Sequence, residues 1–89
     1  MNGVKASMTN ALHLFFEFLF WTNEREVPNF IPTKQDFSTL HIKPINLTER
    51  IFFILSKLEH YHSFIQLSQL FDEFTKQYYK KILMDKQKK

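Results

Sequence analysis

Residues 7–22 read SMTNALHLFFEFLFWT, and the question of what covers this stretch decides the fold. Leu12, Phe15, Phe16 and Leu19 fall at i, i+3, i+4 and i+7, the spacing that lines one face of an α-helix. Leu14, Phe18 and Trp21 make a second apolar face beside the first. The spacing predicts a helix over 7–22, opened by Ser7 or Thr9 as N-cap. A helix apolar on two faces is either enclosed in a core or covered by another molecule.

Outward from that helix the chain changes character. Pro28, Pro32 and Pro44 break residues 23–45, because proline lacks a donor and biases the residue before it toward extended backbone. Val27, Phe30, Ile31, Phe37, Leu40 and Ile42 supply anchors, so the segment reads as an ordered arm rather than a flexible linker. The alternation from Thr39 to Lys43 allows a short strand. Asn46 with Glu49 has the spacing of a capping box, predicting a second helix over 46–62 with Leu47, Ile51, Ile54, Leu55 and Leu58 inward. It frays near Tyr61 to Ser63.

A third helix is expected over 66–84, with Leu67, Leu70, Phe71 and Phe74 at helical spacing and Asp72 and Glu73 facing out. Either it runs on as one rod through Tyr78 and Ile82, or it breaks near Thr75 into a helix-turn-helix. A basic tail, 85–89, ends the chain. The fold class is therefore all-α: a single domain of three or four helices with a proline-interrupted arm between the first two.

Eighty-nine residues allow one domain whose core is small. Eleven Phe, three Tyr and one Trp, at roughly 200 Å² each, carry about 3,000 Å² of aromatic surface. That exceeds what the core can hide along with the Leu and Ile side chains, and predicts an exposed apolar patch and a partner for it. The competing reading is a Phe-lined core with ordinary apolar atoms on the surface. The expected anchors are Leu14, Phe18 and Trp21 on the first helix and Phe30 and Phe37 on the arm. The partner is another protein or a second copy of the chain.

Charge is uneven. Residues 1–45 balance to zero, whereas the last fifteen hold six Lys against Asp85. The rival function is nucleic-acid association, in which Thr75, Lys76, Gln77, Lys80 and Lys81 form the exposed start of a recognition helix. The order of first helix, broken connector, Thr48-Glu49-Arg50-Ile51, then Ile65 through Leu70-Phe71 faintly resembles the C-terminal region of bacterial kleisins, the bridging subunits of condensin complexes, over roughly residues 11–71. The resemblance implies a winged helix. Beyond Phe71 the chain departs from that pattern, with Lys-rich sequence where an apolar helix and wing belong, and no membership follows from it.

Chemistry finds little to work with. The absence of Cys removes disulfides, thiolate catalysis and Cys-based zinc sites. His60 and His62, at i and i+2 on a helix, would point apart and lack further ligands, so no metal or other cofactor is expected. The single Gly, Gly3, excludes a phosphate-cradling loop. The carboxylate pairs Glu24 with Glu26 and Asp72 with Glu73 sit in sequence contexts that read as exposed, with ordinary pKa values. The expectation is a non-enzymatic protein. The apolar run from Ala11 to Trp21 is short of the ~20 residues a membrane span needs, and no signal peptide is evident. A cytoplasmic or nuclear location is the default expectation.

Overall fold

A computed structural model describes residues 2–87, with side chains from residue 6 to residue 86. The chain is all-α: α1 (Asn2–Thr22), α2 (Lys34–Ser38), α3 (Leu47–Ser56) and α4 (Tyr61–Gln87), in that order. No strand occurs among the described residues, so the alternation at 39–43 does not become one; Asn23 takes both backbone groups of Ile42 instead. Its Oδ1 accepts the Ile42 N–H at 2.8 Å and its Nδ2 donates to the Ile42 carbonyl at 2.8 Å.

Helix α1 starts at Asn2, ahead of the expected Ser7 or Thr9. Neither of those residues has to cap, since Lys5 and Ala6 are good helix formers and nothing between them and Thr9 breaks a helix. Its first face behaves as read: Leu12, Phe15, Phe16 and Leu19 are buried.

The arm holds one helix that hydrophobic spacing passes over. Thr33 caps α2 through a capping box, its Oγ1 accepting the Asp36 N–H at 3.3 Å while Asp36 Oδ2 accepts the Thr33 N–H at 2.8 Å. This short turn sets Phe37 into the core, fully buried between the rings of Phe16 and Phe20. The capping box expected at Asn46 and Glu49 does not form. Asn46 adopts left-handed backbone, φ 56° and ψ 34°, and its side chain makes no cap bond. Asparagine tolerates that region better than most residues, so Asn46 serves as the corner leading into α3.

Helix α3 ends at Ser56, six residues short of the expected boundary. Lys57 leaves helical geometry, and the His60 N–H closes a tight turn on the Lys57 carbonyl at 3.0 Å. No Gly or Pro marks this reversal. Helix α4 then begins at Tyr61 rather than near Gln66, because the first core position of its stripe is Ser63, fully buried and invisible to a hydrophobic pattern. It runs unbroken past Thr75. The helix-turn-helix alternative is thereby excluded, and residues 85–87 of the expected tail belong to α4, whereas 88–89 lie outside the described residues.

The rings of α1 and α4 fix how the two long helices lie. Phe15 meets Phe71 with centroids 5.1 Å apart, Phe18 meets Phe74 at 4.8 Å, and Phe18 meets Tyr78 at 5.3 Å, all edge-on. Residue numbers rise together along the contact, so the pair is parallel. The arm, α2 and α3 pack on one side of it, where Phe37, Leu40, Leu47, Ile51 and Ile54 complete the core. The body is elongated, 50 × 22 × 20 Å.

Candidate docking surface

On α1 the positions Ser7, Ala11, Leu14, Phe18 and Trp21 recur at i, i+4, i+7, i+11 and i+14 and so share a face. On α4 the matching set is Phe64, Ser68, Phe71, Thr75, Tyr78 and Ile82. The Phe18–Tyr78 and Phe15–Phe71 contacts place the two stripes side by side. Neither stripe carries a charge, in a chain that is 24% charged. Leu14, Trp21 and Phe64 remain 61%, 64% and 55% exposed.

At its upstream end the seam opens into a groove of ≈ 880 Å³ between the start of α1, the α3–α4 turn and the start of α4. Met8, Ala11, Leu58, Phe64, Leu67 and Phe71 supply its apolar lining, with Glu59 and His60 contributed by the turn and Tyr61 by the first residue of α4. The turn itself is organised by His60. Its Nδ1 accepts the His62 N–H at 3.4 Å and its carbonyl accepts the Ser63 N–H at 3.0 Å, so His60 sits just outside the helix and meets orphan donors of α4. Because it is outside, its ring stacks on that of His62 with centroids 5.1 Å apart, where two helical residues at i and i+2 would diverge. Among the described residues no cluster of three or more His, Cys, Asp or Glu has a metal-ligating arrangement.

The opposite flank of the helix pair is closed by polar bonds. Arg50 of α3 lies across α4, donating from Nε to Gln66 Oε1 at 2.7 Å and from both terminal nitrogens to the Glu73 carboxylate at 2.9 and 2.7 Å. It also donates to the Ile45 carbonyl at 3.2 Å. Glu73 is therefore not the ordinary surface carboxylate its sequence context suggested. The Arg50 hydrogen bonds hold its pKa below the usual value, against an opposing effect of burial.

The five expected anchors separate into three groups. Leu14, Phe18 and Trp21 do share the seam, with Phe18 half-buried between Phe74 and Tyr78 and the other two open. Phe30 is 62% exposed but lies on the far flank of α1, beside a smaller cavity that it lines with His13, Phe16 and Val27. Phe37 is a core residue and no anchor, because the Thr33 cap turns it inward. Tyr61 and Phe64 were missed, since the expected second helix frays at Tyr61 and the expected third begins only after Phe64; the 64, 71, 78 heptad spacing was the available signal.

The five nucleic-acid candidates do not share a face. Gln77 Nε2 donates to the Lys43 carbonyl at 2.9 Å, and Lys81 Nζ pairs with Asp85 at 3.2 Å. Thr75 belongs to the seam, leaving Lys76 and Lys80 as the exposed cations of the set. With α4 continuous and no strand among the described residues, neither the turn nor the wing implied by the kleisin resemblance is present there.

Among the described residues no helix is long and apolar enough to cross a membrane. No solved structure matches the chain. A Bacillus subtilis (strain 168) protein, described as "Uncharacterized protein YpoC", is 40% identical over 62 residues, which are 70% of this chain and 38% of that relative. The chain thus spans about two fifths of the relative's length. The family model described as "YpoC-like protein" matches residues 1–86, the whole of α1 to α3 and nearly all of α4. The parallel helix pair, its covered flank and its open seam are on that evidence built by a member of the YpoC-like family.

Proposed function

We propose that the chain is a non-enzymatic assembly module that docks protein through the α1–α4 seam. The observation supporting this reading is the uncharged double stripe, which keeps Leu14, Trp21 and Phe64 in water beside an apolar groove. Exposing such side chains costs about 1.5–3 kcal/mol each relative to burial, and a partner surface recovers it. Large aromatic side chains that enter a partner's pocket contribute most to binding at interfaces. Trp21 and Phe64, at either end of the seam, have that character. Nucleic-acid association has less support, since Thr75, Lys76, Gln77, Lys80 and Lys81 do not line up on one face of α4.

A photo-activatable side chain placed at Leu14 tests the reading in living cells. Protein adducts are expected at position 14 and not at exposed Glu49 on α3. Equal yields at both positions would sink it.

A further inference from the structure

We infer that the seam is an interface between two copies of this chain, packed antiparallel about a two-fold axis, with Trp21 of each copy seated in the groove of the other. The inference rests on the docking reading and supplies its partner.

Three features of the seam point to a second copy. The first is area. Leu14, Trp21, Tyr61 and Phe64, exposed by 61%, 64%, 70% and 55%, leave roughly 500 Å² uncovered at about 200 Å² per large side chain. A stable interface takes about 800 Å² from each partner, and homodimer interfaces are about 65% apolar. The uncovered area is close to the apolar share that one half of such an interface requires.

The second is self-complementarity, the condition a two-fold interface must meet. The seam has a protruding indole at one end and a groove at the other. Seven residues separate Ser7 from Leu14 and seven separate Leu14 from Trp21, about 10 Å each way at 1.5 Å per residue. A two-fold axis crossing the seam at Leu14 therefore sets Trp21 over the partner's Ser7, at the groove lining, and sets Leu14 against its own copy. The same axis crosses α4 at Phe71, which lies beside Phe15, and brings Phe64 opposite the partner's Tyr78. A parallel arrangement would instead face groove to groove and leave both unfilled.

The third is charge. A two-fold axis at Leu14 lays each stripe against itself, where a charge would lose its water unless an opposite charge lay across from it. The two stripes contain none.

The full chain holds a single tryptophan, so its emission reports the proposed contact directly. Sedimentation equilibrium of the purified chain is expected to give a dimer whose Trp21 emission is blue-shifted and moves red on dilution. Ser68→Arg places a charge in the groove at an exposed position. It should raise the dissociation constant at least about tenfold and shift Trp21 emission to that of a solvated indole. Within one chain Trp21 lies ten residues of α1 beyond the groove's Ala11, about 15 Å, so that shift has to come through the partner. Leu14→Arg should do the same should Ser68→Arg prove unfolded by circular dichroism, and Phe53→Ser on α3 should change neither mass nor emission. A dimer whose Trp21 emission ignores Ser68→Arg and Leu14→Arg would overturn the inference. A monomer at every concentration would overturn it too; adducts to a different protein at position 14 would then leave the docking reading standing, and their absence would remove both.

Discussion

The two flanks of the α1–α4 pair are made from the same aromatic-rich sequence and finished in opposite ways. On one, the arm and α3 return over the helices, Phe37, Ile51 and Ile54 are completely buried, and Asn23, Arg50 and Gln77 tie the covering down with side-chain hydrogen bonds. On the other, no element of the described chain returns, and Leu14 and Trp21 stand in solvent. Intrinsic hydrophobicity does not separate the two: Phe37 and Trp21 are both large rings at helical positions. What separates them is whether a later segment of the chain comes back over the position.

That difference is largest in stability. Phe37→Ala, which opens a cavity beside Phe16 and Phe20, should cost about 3–5 kcal/mol, read from urea unfolding. Leu14→Ser on the open flank should cost under about 0.5 kcal/mol. Both belong at the lowest workable protein concentration, since association adds stability by mass action. Similar losses at the two positions would erase the distinction between flanks.

A smaller effect sharpens how the covered flank is held. Asn23 bonds the Leu19 carbonyl and both backbone groups of Ile42, so Asn23→Ala leaves partly buried groups unsatisfied and should cost about 1–2 kcal/mol. Amide exchange should quicken at Ile42 ahead of the α1 core. Uniform quickening through the protein would mean the arm is not held at this point.

The smallest effect is electrostatic. Arg50 lowers the pKa of Glu73 in the folded chain from its ordinary value of 4.5. A depressed carboxylate stabilises the fold above its unfolded pKa, and the contribution fades as pH falls through the folded value. The Glu73 side chain is 42% exposed, so solvent screening keeps the gain under about 1 kcal/mol. Melting of wild type against Glu73→Gln should show a gap near neutral pH that closes below pH 4.5. A gap that persists in acid would assign the stabilisation to packing of Arg50 rather than to the charge.

Much of this was legible in the residues themselves. The first helix, its buried face at Leu12, Phe15, Phe16 and Leu19, and the second apolar face at Leu14, Phe18 and Trp21 follow from period 3.6 alone. The excess of aromatic surface over core follows from composition and volume. Local chemistry was a poorer guide where it depended on backbone conformation. Asn46 and Glu49 have capping-box spacing, yet Asn46 turns left-handed; Thr33 and Asp36 have the same spacing and do form the box. The candidate docking surface was half legible. Its α1 stripe was read, but its α4 stripe begins at Phe64, just after a turn that has no Gly or Pro to announce it.

The sequence by itself determined that the chain is helical, that prolines divide it after the first helix, and that its aromatic residues outnumber the places a small core provides, because these depend on periodicity, on proline's missing donor and on volume. Only the tertiary structure decided which aromatic residues stay outside. Phe37 is core and Trp21 is surface because the cap at Thr33 turns the arm inward over one flank, while α4 runs parallel to α1 and leaves the seam between them uncovered. Burial is a property of what the chain brings back over a residue, and that is set by contacts distant in sequence.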